Sequence, residues 1–144
     1  MGIKAGQDIC CLEGGKVAGG YVPMHTVLIV DDSLFMRKLI RRMMENAGYQ
    51  VVGEAENGEV CIEKYQELRP DVVTLDMTMQ GMGGLQALRQ LIHIDPMVKV
   101  VMISSLGQET IIKNAITMGA KAFIVKPFKE RHILAVLNKV IAGR

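Results

Sequence analysis

Short apolar runs rich in β-branched residues alternate with longer amphipathic segments along most of this chain, and this alternation constrains the fold more than any other feature. The apolar runs cover residues 27–30, 51–52, 72–75, 98–103 and 122–125. They are mostly uninterrupted, as expected for strands that are buried on both faces. The sequence therefore predicts five strands of a parallel sheet.

Between these runs, apolar residues recur at helical spacing. The segment from Met36 to Ala47 shows this spacing, and Gly48 then supplies a helix stop. Asn57 is the predicted N-cap of a second helix, which ends before Pro70. Three further amphipathic segments lie near residues 85–92, 112–116 and 133–141. Because crossovers between parallel strands are right-handed, this order predicts an α/β fold, a doubly wound parallel sheet with helices on both faces.

The first 23 residues differ from the rest of the chain. They contain the pairs Gly14-Gly15 and Gly19-Gly20 and show no sustained strand or helix period. We expect a flexible N-terminal tail over residues 1–23, followed by one domain over residues 24–144. Since Met24 directly precedes the first strand, the tail could be a native extension, a cloning remnant or the result of a start codon placed too early.

Composition narrows the class of protein. A chain of 144 residues with 49% hydrophobic and 22% charged residues suits one folded domain and argues against disorder. The net charge of +2 is too small to indicate a nucleic-acid or anionic-membrane partner, and no apolar run could span a bilayer. Three cysteines, two of them adjacent, give no disulfide framework and favour a reducing, cytoplasmic location.

Polar side chains follow four of the five predicted strands, at the ends where a parallel sheet binds its ligands. Asp31 and Asp32 follow the first strand, and Asp76 follows the third. Ser104 follows the fourth run, and Lys126 follows the fifth. Each residue alone could be a helix cap, a turn residue or a solvated side chain. Their shared placement at equivalent strand ends predicts one site.

This set of side chains is suited to phosphoryl transfer. Three neighbouring carboxylates repel one another unless a cation lies among them, and Mg²⁺ prefers oxygen ligands of this kind. A carboxylate can also attack phosphorus and form an aspartyl phosphate. The reaction further needs positive charge on the equatorial oxygens, which Mg²⁺ and Lys126 would supply, while Ser104 would donate a hydrogen bond.

Four segments of the sequence resemble the receiver domains of two-component response regulators, most closely the stand-alone chemotaxis type. They are Leu28-Ile29-Val30-Asp31-Asp32-Ser33, Leu75-Asp76-Met77, Ile103-Ser104-Ser105 and Val125-Lys126-Pro127-Phe128. The resemblance covers residues 24–144 and excludes the tail. It implies the flavodoxin-like strand order 2-1-3-4-5.

The resemblance also implies a role for each acidic residue. Asp76 would be the phosphoacceptor. Asp31 and Asp32 would be the acidic pair that holds Mg²⁺ together with Asp76, with Asp32 the direct ligand of the pair. The backbone carbonyl of Thr78 would be the third protein ligand.

Three other residues receive roles in the same way. Ser104 and Lys126 would bind the phosphoryl group, and Phe123 would be the aromatic residue whose rotamer follows phosphorylation, so that Ser104 and Phe123 form the switch. The sequence departs from the family pattern nearby. Gln80 stands where a proline is usual, Gly83 replaces an Asn or Asp, and Ser105 replaces a small alanine.

As a whole, the resemblance implies a single-domain response regulator that receives a phosphoryl group from a histidine kinase. It would be a monomeric phosphoacceptor switch rather than an enzyme, with self-catalysed phosphorylation and slow dephosphorylation. Phe35-Met36-Arg37 after the acidic pair resembles the chemotaxis type, which favours a motor switch as the protein target. No DNA-binding or enzymatic domain fits after Arg144, so we expect output through phosphorylation-dependent protein contact.

Three alternatives stay open at this point. The chain could be a phosphorelay intermediate that passes its phosphoryl group to another histidine protein, or it could be the receiver piece of a larger regulator. A flavodoxin-like cofactor-binding protein would share the fold. Such a protein would need a hydroxyl- and glycine-rich loop after the first strand to bind the cofactor phosphate. In this chain Asp31 and Asp32 occupy that place and would repel a phosphate that has no bound metal.

Overall fold

The computed structural model describes residues 9–10, 16–21 and 24–143, and it confirms the predicted α/β architecture. Its main sheet has five parallel strands: β1 Thr26–Val30, β2 Gln50–Ala55, β3 Val72–Asp76, β4 Val100–Ser104 and β5 Ala122–Val125. Five helices connect or follow the strands: α1 Leu34–Asn46, α2 Gly58–Leu68, α3 Gly84–Ile94, α4 Glu109–Met118 and α5 Glu130–Ile141. The strand order is β2-β1-β3-β4-β5, as the resemblance implied.

The two faces of the sheet carry separate apolar cores, because successive side chains of a strand point to opposite faces. Leu28 and Leu75 belong to the face covered by α2, α3 and α4. Val27, Ile29 and Val72 belong to the other face, against α1 and α5. The strands are therefore buried on both sides, which explains why their sequences are nearly continuous apolar runs.

Local signals define where the helices begin. Asn57 caps α2 as predicted, since its Oδ1 accepts a hydrogen bond of 2.8 Å from the Val60 amide. Helix α3 begins against the end of β3: a Cβ added to Gly84 would lie 2.4 Å from the backbone oxygen of Asp76. Only a glycine allows the start of α3 to lie this close to the end of β3.

The described part of the N-terminal segment forms a second, two-stranded sheet. Strand Ile9–Cys10 pairs antiparallel with strand Lys16–Tyr21. At these residues the structure differs from the prediction of little intrinsic structure, because strand pairing uses backbone groups and needs no side-chain period. The other residues of 1–23 lie outside the described part, and the boundary between a tail and a domain stays a prediction. Among the described helices, none combines the length and the apolar character that a membrane span requires.

Candidate functional site

The predicted site residues meet at the carboxyl ends of the strands. Asp31 directly follows β1, Asp76 and Ser104 are the last residues of β3 and β4, and Lys126 directly follows β5. Ligand oxygens of Asp31, Asp32 and Asp76 all lie within 4.8 Å of one another. The parallel topology alone produces this convergence, because strands that run the same way end at the same edge of the sheet.

Lys126 lies between the two buried carboxylates. Its Nζ is 3.2 Å from Oδ2 of Asp31 and 3.5 Å from Oδ1 of Asp76. The Asp31 and Asp76 side chains are only 2% and 6% exposed, whereas Lys126 is 22% exposed. A single ammonium group therefore serves two carboxylates that water cannot screen well.

The environment of Asp76 opposes its ionisation. Burial is the main cause, and repulsion from the Asp31 carboxylate adds to it, so that the pKa of Asp76 is raised to about 6. Attraction to Lys126 and a hydrogen bond from the Thr78 amide act in the opposite direction but are smaller. Asp76 is still mostly ionised at neutral pH.

The donor set fits a hard divalent cation. Three carboxylates within 4.8 Å, two of them buried, supply oxygen ligands and a surplus of negative charge. Asp32 is the exposed member and is the one best placed to share a metal with solvent. The amide of Thr78 donates to Asp76, while the metal-ligand role of the Thr78 carbonyl stays a prediction.

Ser104 is buried, and its hydroxyl already makes one hydrogen bond within the protein. Its Oγ accepts a hydrogen bond of 2.9 Å from the Leu106 amide, which leaves its proton available for donation. Its backbone oxygen accepts from the Lys126 amide at 2.8 Å, so the ends of β4 and β5 are joined. Phe123, on β5 opposite Met102 of β4, is half-buried and packs against the core on the α2–α4 face. The switch roles of Ser104 and Phe123 stay predictions.

Two of the three departures from the family pattern, Gln80 and Ser105, line cavities beside the site. Gln80 is exposed and lines a cleft of about 500 Å³ together with Asp32. Ser105 is exposed and lines an apolar groove of about 340 Å³ that also includes Lys126. Gly83 precedes α3 without a side-chain cap, in extended backbone that any residue can adopt.

Sequence reasoning missed two residues beside the acidic pair. Arg37 of α1 donates to the backbone oxygen of Asp31 at 2.6 Å and to Oε1 of Glu54 at 3.0 Å. The sequence indicates Arg37 only as part of a chemotaxis-like motif, and it gives no signal for Glu54 of β2. Arg37 lies six residues after Asp31, one turn into the helix that follows the acidic pair. This position is the signal that could have indicated its contact with Asp31.

Comparisons with known proteins agree with this geometry. Residues 27–138 match the family described as the response regulator receiver domain. The chain is 48% identical to the chemotaxis protein CheY of Thermotoga maritima, over 79% of this chain and 95% of that protein. It is 45% identical to the chemotaxis protein CheY of Bacillus subtilis, over 81% of this chain and 98% of that protein.

A solved structure is similar as well. The crystal structure of the CheX–CheY–BeF3–Mg²⁺ complex from Borrelia burgdorferi aligns with a TM-score of 0.80 at 37% identity. The alignment covers 83% of this chain and 90% of that chain.

Proposed function

Because this chain belongs to the response regulator receiver domain family and is related to the chemotaxis protein CheY, we propose that it is a phosphorylation-controlled switch whose phosphoacceptor is Asp76. The observation that carries the proposal is the buried Asp76 carboxylate, close to two further carboxylates and to the Lys126 ammonium. This membership sets aside the flavodoxin-like alternative.

Mg²⁺ is the proposed metal, held by Asp31, Asp32, Asp76 and the backbone carbonyl of Thr78. When bound, it would supply the positive charge that phosphoryl oxygens need during transfer. The chain contributes the rest. Lys126 contacts Asp76 from the side of β5 and can form an ion pair with one phosphoryl oxygen. The Ser104 hydroxyl can donate a hydrogen bond to another phosphoryl oxygen.

The proposed reaction uses the ionised form of Asp76. A carboxylate oxygen attacks phosphorus of the donor, a phosphohistidine of the kinase or a small acyl phosphate, and forms the new O–P bond. The bond from phosphorus to the donor breaks, and its electron pair leaves with the donor. Because the pKa of Asp76 is about 6, the nucleophile needs no base at neutral pH.

The proposed function is tested by offering the protein acetyl phosphate with Mg²⁺ or with a chelator. We expect one acid-labile phosphoryl group per chain in the presence of Mg²⁺ and at least a tenfold lower level without it, measured by intact mass and by site mapping. Equal labelling in the chelator would contradict the metal requirement. Labelling that maps to a residue other than Asp76 would contradict the site.

Ser104 and Phe123 are proposed to couple phosphorylation of Asp76 to the surface that binds a protein target. The phosphoryl group would draw the Ser104 hydroxyl toward it, and Phe123 would turn into the space vacated behind β4. Ile116 of α4 and Val125 of β5 are apolar and more than 40% exposed. A change of shape there would be read by a protein target, in chemotaxis a motor switch, or by a phosphotransfer protein. The CheX partner in the Borrelia CheY complex supports binding of a protein target.

Ser104→Ala tests this coupling. The variant keeps the acidic cluster, so we expect it to bind Mg²⁺ and beryllofluoride within about threefold of the wild type. Without the hydroxyl, the phosphoryl mimic should no longer change the Phe123 side-chain NMR signals. Ser105→Ala is the matched control, because Ser105 carries the adjacent but exposed hydroxyl. In this variant, the phosphoryl mimic should change the Phe123 signals as it does in the wild type. A full Phe123 response in Ser104→Ala would place the coupling elsewhere.

A further inference from the structure

The backbone of Asp31 is held by a hydrogen bond at its amide and by another at its carbonyl. The Asp31 amide donates to the backbone oxygen of Ala55 at the end of β2, at 3.0 Å. The Asp31 backbone oxygen accepts a hydrogen bond of 2.6 Å from Nη1 of Arg37. Because a peptide unit is planar, the position of this oxygen also fixes the direction in which the chain enters Asp32.

Asp32 depends on that backbone for its position. Within residues 24–143, the Asp32 carboxylate makes no hydrogen bond or ion pair, and the residue is exposed. Asp31 differs, since its Oδ1 accepts from the Ser33 amide at 2.8 Å and its Oδ2 lies by Lys126. Whatever places Asp32 toward the other two carboxylates must therefore act through the main chain.

Arg37 is itself held rigidly enough to do this. Its side chain is 13% exposed, and its Nε donates to Oε1 of Glu54 at 3.0 Å. Glu54 is also bound by Arg41, whose Nε lies 2.6 Å from Oε2. Burial of Glu54 opposes its ionisation, but the hydrogen bonds from Arg41 and Arg37 outweigh burial and lower its pKa. Glu54 is thus a fixed anion on β2 that orients the Arg37 guanidinium.

We propose that Arg37 is a positioning residue for the metal site: by holding the Asp31–Asp32 peptide against β2, it places the Asp32 carboxylate for Mg²⁺. The inference rests on the proposed function, because it assumes that the acidic cluster binds Mg²⁺. Residues that orient metal ligands from outside the coordination sphere commonly change metal affinity by 10- to 100-fold.

The direction in which Mg²⁺ affinity changes when Arg37 is removed distinguishes a positioning role from a purely electrostatic one. Arg37 and Asp32 line the same cleft of about 500 Å³, so the guanidinium is a positive charge near the metal site. Removing a nearby positive charge should strengthen the binding of a cation. Removing a positioning contact should weaken it.

The test compares Arg37→Met with Arg41→Met in the full chain. Both variants remove one arginine from Glu54, but only Arg37 contacts the acidic pair. We expect Mg²⁺ titration, followed by calorimetry and by amide NMR signals, to give a Kd about tenfold weaker for Arg37→Met and within about twofold of wild type for Arg41→Met. The Asp32 amide signal of the metal-free protein should shift only in Arg37→Met.

Arg37→Lys adds a second variant that keeps the charge. An ammonium cannot donate to Glu54 and to the Asp31 oxygen in the fixed fork of a guanidinium, so Mg²⁺ binding should stay at least threefold weakened. Full recovery in Arg37→Lys, or equal or tighter binding in Arg37→Met, would overturn the positioning role. If the wild type shows no saturable Mg²⁺ binding, the proposed function itself fails, which is a separate result.

Discussion

Asp76→Asn is expected to abolish phosphoryl incorporation from acetyl phosphate. The amide oxygen of asparagine is a very poor nucleophile toward phosphorus, whereas on the proposed function the ionised carboxylate of Asp76 would form the new bond. The substitution is nearly isosteric and leaves Lys126 beside Asp31. The fold should therefore survive while labelling, measured by intact mass, falls below detection.

Asp71→Asn is a suitable control for this experiment. Asp71 is an exposed carboxylate that binds the Thr26 amide and lies outside the acidic cluster. We expect wild-type labelling in this variant, because its carboxylate takes no part in the site. If Asp76→Asn still accepts a phosphoryl group at the wild-type rate, Asp76 is not the phosphoacceptor.

The metal-free protein is expected to lose stability as the pH rises from about 4 to above 6. The pKa of Asp76 in the folded state is about 6, above its value near 4 in an unfolded chain. The folded state therefore holds the proton more tightly, and ionisation costs folding free energy as the pH passes through this window. For a side chain that is 6% exposed, the loss amounts to about 3 kcal/mol at pH 7.

This pH effect is measured against Asp76→Asn, which lacks the titrating group. Denaturant unfolding in a chelator at several pH values should show the wild type approaching the variant at about pH 4 and falling below it near neutral pH. Contributions from the other ionisable groups largely cancel in the comparison. A difference between the two proteins that stays constant with pH would show that Asp76 has an ordinary pKa.

Much of the fold could be predicted because its signals are local. The uninterrupted strand from Val27 to Val30 reflects burial on both faces, and Asn57 identifies the start of α2 from a single side chain. The site was predictable for a related reason: in a parallel sheet, residues that follow different strands are brought to one edge by topology alone. Asp31, Asp76 and Lys126 could thus be grouped without knowing any distance.

The remaining features depend on how elements meet in three dimensions. The contact of Arg37 with Glu54 joins α1 to β2 across 17 residues, and its existence depends on the rotation of the helix over the sheet. The apolar period of α1 indicates which face of the helix meets the sheet, but it does not indicate which residue of β2 lies beside Arg37. The pairing of Lys16–Tyr21 with Ile9–Cys10 was missed because it relies on backbone hydrogen bonds. The sharing of Lys126 between two carboxylates likewise follows from packing and not from spacing.

That shared lysine has a consequence for what the protein can sense. Three ionised carboxylates and one ammonium give the cluster a net charge of −2. One divalent ion restores the balance, and transfer of a phosphoryl group to Asp76 disturbs it again by adding negative charge. On the proposed function, free magnesium is then a second input beside the kinase. In a cell with too little free magnesium, Asp76 would then remain unphosphorylated even while the kinase is fully active.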